Sequence, residues 1–496
     1  MNATNRLPRI IQGGMGVGVS NWCLARTVSE AGELGVVSGT GIDTVLIRRL
    51  QLGDADGHIR RALSYFPVPT VAQRVKNSWF VPGGKSPDKP FKLNSMPSRQ
   101  LSPAQNELLI LANFVEVFLA KEGHGGLVGI NYLEKIQIPT LPSLLGAMLA
   151  GVDVVLMGAG MPKAIPAVLD KLSRWEPVEL RLSVRGNERG REYTQRLDPK
   201  EYISGGPPSL SRPKFLAIVS SDVVATAMAR KASGTVDGFV VEHHSAGGHN
   251  APPRGTRTSD AQFSSRDEPD LHKIRNLGLP FWLAGSCASP VKLADARISG
   301  AEGIQVGTAF AFCRESGIRP DIKRAVLLDL MRGKLEVHTD FNASPTGYPF
   351  KLVRLNTINN NTDASGQRTR CCDLGYLREM YVRGDGKVGY RCPAEPIARY
   401  LSKGGCTEEA AGKLCLCNGL MATIGLEQRR GEYTEPPMVT AGEDFSTVRR
   451  VLARSVHSQT LEYGACEVLD YLRSGALNTD VLATPEVPRT IPRSAA

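Results

Sequence analysis

Over some 310 residues the chain alternates short apolar runs with longer amphipathic stretches about eight times, and no long gap splits the series into halves. Apolar runs of four to eight residues bounded by glycine or proline read as buried strands of a parallel sheet. They fall at residues 8–12, Leu34–Gly41, Gly126–Tyr132, Val152–Gly158, Val178–Val184, Lys214–Ser220, Val236–Glu242, Leu279–Gly285 and Gly303–Gly307. Helices are expected between them, at Trp22–Ala31, Asp54–Leu63, Asn106–Lys121, Ser143–Ala150, Lys163–Leu172, Asp222–Ala232, Asp270–Leu277 and Pro290–Ile298. Ser20-Asn21 supplies a cap for the first helix, and Pro290 starts the last in the usual manner. An unbroken βα series of this length implies an α/β protein whose sheet closes as a (β/α)8 TIM barrel.

Insertions interrupt the rhythm. Phe66–Arg99, rich in Pro, Lys and Ser, reads as a surface excursion, and residues 185–213 and those up to about 267 read as polar insertions. After residue 320 the pattern changes: a helix over Ile322–Arg332 leads into Thr346-Gly347-Tyr348-Pro349-Phe350-Lys351. An Asn-rich loop, a cysteine-dense segment and a Pro/Thr/Ser-rich tail follow. The expected organisation is a barrel over 1–320 and a C-terminal, cysteine-containing α+β appendage over 321–496, packed on the barrel.

A net charge of +11 raises the question of a polyanionic partner. Lys and Arg are spread along the chain with no aromatic-interleaved basic run, which argues against nucleic acid. The most apolar stretch, Leu144–Met161, is cut by Asp153 and carries four glycines, so no membrane span is expected, and the first residues lack the apolar core of a signal peptide. A cytoplasmic location follows as the expectation. There, ten cysteines point to thiols, a metal or catalysis rather than disulfides.

The chemistry concentrates at residues 236–255. A buried strand runs into Glu242, His243, His244, Gly247, Gly248 and His249 before Pro252 and Pro253 stop regular structure. The carboxyl end of a barrel strand is where α/β proteins place catalysis. Glycines there let the backbone approach a ligand, and a histidine beside them can exchange protons near neutral pH. For His243 and His244 a polar loop remains the alternative. Two further glycine turns, Ala284-Gly285-Ser286 and Gln305-Val306-Gly307-Thr308, follow the last two strands. Their main-chain amides, with an adjacent hydroxyl, make a phosphate cradle, the plain alternative being tight βα turns.

Five segments carry a resemblance when taken together: Ile-Ile-Gln-Gly-Gly-Met-Gly at 10–16, Val-Gly-Ile-Asn at 128–131, Ala-Gly-Gly-His at 246–249, Leu-Ala-Gly-Ser at 283–286 and Gln-Val-Gly-Thr-Ala-Phe at 305–310. In this order and spacing, over roughly residues 7–315, the chain resembles the nitronate monooxygenase (2-nitropropane dioxygenase) family of FMN-dependent barrels. The related FMN enoyl reductases share these motifs. The resemblance implies that Gln12, Gly13 and Met15 line the flavin and that Asn131 hydrogen-bonds it. Gly247 and Gly248 would approach the ring and ribityl chain, while Gly285, Gly307 and Thr308 would hold the phosphate. His249 would be the catalytic histidine, acting on an anionic nitronate or an enoyl thioester. Basic residues near the site would favour the nitronate. His243, His244 and the continuation Asn-Ala-Pro-Pro-Arg-Gly depart from the family pattern, and the chain is longer than a compact member.

The readings carried forward are an alkyl-nitronate oxidase using O2, an NAD(P)H-dependent enoyl-thioester reductase, and a non-catalytic phosphate-ligand or scaffold protein. A homo-oligomer is left open. Cys372, Cys392, Cys415 and Cys417 could together form a tetrahedral thiolate site for zinc or an iron–sulfur centre, although the spacing is not a standard zinc pattern. Buried reduced thiols are the alternative. Cys23, Cys287, Cys313 and Cys466 are isolated and read as small core residues.

Overall fold

The computed structural model describes residues 7–187, 190–203, 210–254, 263–355, 368–455 and 460–475. Eight parallel strands form its central sheet: β1 (Ile10–Gln12), β2 (Gly35–Ser38), β3 (Val128–Leu133), β4 (Val154–Gly158), β5 (Lys214–Val219), β6 (Gly238–Glu242), β7 (Phe281–Ala284) and β8 (Gly303–Val306). They pair in chain order, β2 with β3 through to β7 with β8. β8 returns to β1 with Ile10 opposite Ile304, and a parallel bridge from Ile11 to Leu34 closes the ring. The chain is therefore a (β/α)8 barrel with insertions.

The strands are mostly buried on both faces, which explains their largely apolar character, with Gln12, Ser38, Asn131, Glu242 and Gln305 placed toward their carboxyl ends. Inward side chains, including Ile11, Val36, Val154, Leu156, Leu216, Val240 and Trp282, fill the barrel, and the Trp282 indole donates to Pro8 O (2.8 Å). Outward side chains form a larger core with the helices. The packing demands glycine at positions on or beside the strands. A Cβ on Gly303 would lie 1.8 Å from Arg9 O, and one on Gly35 would lie 1.9 Å from Ala25 O.

Several expectations need correction. Val178–Val184 is not a barrel strand: Val178–Arg181 pairs antiparallel with Thr194–Leu197 outside the sheet. Its strictly alternating burial, with Glu179 and Arg181 exposed, is the mark of a strand with one wet face. A helix, Ile42–Gln51, follows β2 where none was expected, although Ile42, Val45, Leu46 and Leu50 carry helical spacing. A second, Pro69–Trp79, lies inside the supposed surface excursion. The expected helix at Asp54–Leu63 is His58–Ser64, because Asp54 instead adopts a left-handed turn whose carboxylate accepts the N–H groups of Ile59 and Arg60.

Beyond β8 come a hairpin (Glu336–Asp340 with Phe350–Arg354), a second (Glu379–Val382 with Val388–Arg391), and helices at Leu416–Thr423, Ser446–Arg454 and Ala465–Arg473. Val448, Val451, Leu452, Val468, Leu469 and Leu472 of the last two helices join the same core as the barrel helices. Among the described residues no helix is long and apolar enough to cross a membrane.

Candidate active site

At the carboxyl ends of the barrel strands lies an open cavity of about 240 Å³. Its barrel side is built by Gly13, Gly14 and Met15 after β1, Ser38 and Thr40 around the end of β2, and Asn131 of β3. Glu242 ends β6, and the turns after β7 and β8 complete that side. The opposite wall comes from the C-terminal region: Phe350, Tyr376, Leu416, Leu420, Met421 and Thr440 through Gly442. Gly13, Met15, Asn131, Gly247, Gly248, His249, Gly285, Gly307 and Thr308 thus share one space. Gln12 lies behind it. It is fully buried, its Nε2 donating to Gly13 O (2.6 Å) and Ser20 Oγ (2.9 Å) while its Oε1 accepts from Val36 N (3.0 Å). Its role in this arrangement is to set the glycine loop against β2.

The wall is shaped for a ligand with its own polar edge. Asn131 Oδ1 and Gln305 Oε1 are buried without a hydrogen-bond partner. Such orphans cost about 1–3 kcal/mol each unless something fills the space. Asn131 Nδ2 is spent on Gly14 O (3.1 Å), and Gly14 has to be glycine because a Cβ there would sit 2.2 Å from Asn131 Cβ. A Cβ on Gly248, whose φ is +79°, would project into open space, and one on Gly307 would meet only the Met15 side chain, its sulfur at 3.8 Å. Both face room that the protein itself leaves free. Thr308 Oγ1 accepts from Gly442 N (2.9 Å), so its own hydrogen remains for a ligand. These features fit FMN: the glycine turns and the Thr308 hydroxyl would take its phosphate, and the unpartnered Asn131 and Gln305 carbonyls would accept from its ring edge.

His249 is held by the C-terminal region. A bridge pairs it with Phe350, flanked by Lys351 N to Gly248 O and Asn250 N to Pro349 O (both 3.0 Å). Its ring stands edge-on to Phe350 at 4.9 Å, and its Nε2 meets Ser344 Oγ at 2.7 Å. Burial pushes the imidazole down to about 4, so it is neutral at pH 7. With Ser344 taking Nε2, Nδ1 is the nitrogen left for a ligand. Glu242 shows the converse: burial pushes its carboxyl up to about 7.

His243 and His244 turn away from the cavity. His243 bonds Ser245 Oγ (2.7 Å) and Glu268 Oε1 (2.8 Å), and His244 stacks on Phe263 at 4.2 Å. The expected basic residues are not there either. Among the described residues the cavity wall holds no lysine or arginine, and its carboxylates are Glu242 and Asp444. Lys351 is fully buried beside Phe350, but its ammonium is spent on Thr339 Oγ1 (2.6 Å) and Glu443 Oε1 (2.5 Å).

The residues that sequence reasoning left out are Glu242 as a titrating group and the far wall. Glu242 had a signal, a carboxyl ending an otherwise apolar strand. Ser344 and Tyr376 had none: Tyr376 is fixed by Thr44 Oγ1 (2.7 Å) and the Asp43 carboxylate, more than 300 positions away.

No family model matches the chain, and no curated protein matches it. Among solved structures, a nitroalkane oxidase from Streptomyces ansochromogenes is similar at 18% identity, covering 96% of this chain and 98% of that one, with a TM-score of 0.42. FabK from Thermotoga maritima is similar at 17% identity over 71% of this chain and 73% of that one, TM-score 0.38. The enoyl reductase domain of MlnA from Bacillus amyloliquefaciens is similar at 12% identity over 70% of this chain and 63% of that one, TM-score 0.35.

Proposed function

We propose that the chain is an FMN-dependent oxidoreductase that oxidises alkyl nitronates with O2. The observation that carries this reading is the glycine-walled cavity with two orphaned amide carbonyls, opening on a neutral histidine and a carboxyl that titrates near 7. When bound, FMN supplies the electron chemistry, accepting electrons from the substrate and passing them to oxygen.

The chain's own residues do the rest. Asn131 and Gln305 would accept N–H groups of the ring, while Gly285, Gly307 and Thr308 would hold the phosphate. With no lysine or arginine in the wall, that charge would be met by N–H and O–H dipoles. His249, neutral and held by Ser344, orients the substrate through Nδ1. Glu242 is the group available to give or take a proton at neutral pH. Phe350, Leu416, Leu420 and Met421 offer an apolar wall to the alkyl chain and exclude water.

The test is an absorption spectrum of the purified protein followed by anaerobic mixing. A flavin spectrum bleached by a nitronate supports the reading. Bleaching by NADPH alone replaces it with an enoyl-thioester reductase, and a protein that neither carries nor takes up flavin refutes the cofactor.

A further inference from the structure

Cys372, Cys392, Cys415 and Cys417 are free thiols around a space of about 10 Å³, and among the described residues no three of their sulfurs gather within 4.8 Å. The polar chain behind His249 carries more. His249 Nε2 meets Ser344 Oγ at 2.7 Å, and Ser344 Oγ in turn meets Thr346 Oγ1 at 2.8 Å. Ser344 is fully buried, whereas Thr346 is half-buried and lines a second, open chamber of about 450 Å³. The wall of that chamber includes Lys135, Gln137, Ser183 and Arg185, so it is polar and roomy enough for water. The inner cavity and this outer chamber share Ile136, Tyr376 and Leu377. Ile136 and Leu377 have no side-chain proton to exchange, and the Tyr376 hydroxyl is committed to Thr44 Oγ1 (2.7 Å) and the Asp43 carboxylate. The two hydroxyls behind His249 lead past this partition.

The hydrogen positions leave the chain free to run either way. Main-chain N–H groups donate to both oxygens, Thr346 N to Ser344 Oγ (3.2 Å) and Tyr348 N to Thr346 Oγ1 (3.5 Å). Each hydroxyl keeps its own hydrogen and one more lone pair for its neighbours. In one arrangement Thr346 donates to Ser344, Ser344 donates to Nε2, and His249 offers Nδ1–H to the inner cavity. In the other, Nε2–H donates to Ser344, Ser344 donates to Thr346, and Nδ1 offers a lone pair. Both keep the imidazole neutral, so the burial that opposes its charge does not oppose exchange between them.

We propose that Ser344 and Thr346 are positioning residues that relay protons between His249 and the outer chamber while a ligand covers the inner cavity. The proposal rests on the reading of the inner cavity as a substrate site. For inward transfer, Nδ1–H breaks as the ligand takes that proton. Nε2 then takes the Ser344 hydrogen, Ser344 takes that of Thr346, and Thr346 takes one from a water in the outer chamber. The hydroxide left there is neutralised by buffer, and outward transfer is the reverse. The apolar wall of Phe350, Leu416 and Leu420 gives the route its use, because it excludes the water that would otherwise carry the proton.

The experiment is a proton inventory, kcat in mixtures of light and heavy water, on the flavin-loaded full chain with a nitronate. The relay predicts a curved inventory in the wild type, with more than one proton in flight. Ser344→Ala and Thr346→Val make it linear and lower kcat about 10²-fold with KM unchanged, the lower end of what positioned proton transfer supplies. Thr346→Ser restores both the curvature and the rate. Thr346→Val keeps the side chain's shape, so the fold is kept, and a wild-type inventory and rate in that variant overturn the relay. Should no nitronate be oxidised, the reading of the substrate fails separately. The relay is then read from heavy-water exchange at His249 Nε2 in the nitrogen-15-labelled chain: slower exchange in Thr346→Val supports it, and equal rates overturn it.

Discussion

Glu242→Gln removes a carboxyl whose ionisation burial penalises at the cavity. In the folded chain the carboxyl is pushed from 4.5 to about 7. At about 1.4 kcal/mol per pH decade this difference is worth about 3 kcal/mol, and water in the cavity reduces it to about 2. The sign is set by proton counting. Between about pH 4.5 and 7 the unfolded chain has lost this proton and the folded chain keeps it, so wild-type stability falls across that window and is level above it. His249 works in the opposite direction: its folded value of about 4 lies below 6.5, so its contribution is present above 6.5 and lost as pH falls toward 4. The two slopes overlap, and wild-type data alone would blur them. The difference between wild type and Glu242→Gln cancels His249 and every other group that titrates alike in both. Urea unfolding of the flavin-free proteins at about pH 5 and about pH 8 should therefore show wild type losing about 2 kcal/mol relative to the variant on going to the higher pH. In the holoenzyme, the limb of kcat/KM near pH 7 should vanish in the variant. A difference that stays flat with pH would mean that Glu242 ionises normally, and its proposed role in proton exchange would fall with it.

Other perturbations separate binding, chemistry and fold. His249→Ala should keep flavin in the absorption spectrum and lower turnover about 10²-fold through lost positioning, and unchanged turnover would remove it from the mechanism. Gly307→Val has ordinary backbone angles (φ −107°) and one distant neighbour, so the melting temperature should hold while flavin is lost. Retained flavin would dismiss the cradle. Gly303→Ala has no such freedom: with a Cβ 1.8 Å from Arg9 O, the urea midpoint should fall by the equivalent of about 3 kcal/mol or more, and an unchanged midpoint would contradict the packing of β8 against β1.

What the sequence made legible was local. The barrel strands are mostly buried, largely apolar runs, and the Gly-Gly-His turn announces itself because the glycines and the imidazole are neighbours in the chain. Val178–Arg181 was miscounted among them for a physical reason: alternation marks a strand, yet in a barrel buried on both sides it marks a strand that belongs elsewhere. The far wall obeys no period at all. Ser344 reaches His249 across 95 residues, and Thr346-Gly347-Tyr348-Pro349-Phe350-Lys351 stood out as a motif without showing that its backbone pairs with the Gly-Gly-His turn. Charge misled in the same way. A surplus of +11 suggested a general attraction for anionic ligands, but a net count carries no positions, and Lys351, beside the wall residue Phe350, is bound to Glu443 and Thr339. The property that matters for the proposed chemistry, a histidine neutral at pH 7 sharing a cavity with a carboxyl titrating near 7, arises from burial. Residue identity alone would have made Glu242 a plain carboxylate and His249 the proton carrier near neutrality, whereas burial moves titration near pH 7 to Glu242. The C-terminal region is therefore part of the candidate site, because Ser344 and Phe350 hold and cover His249.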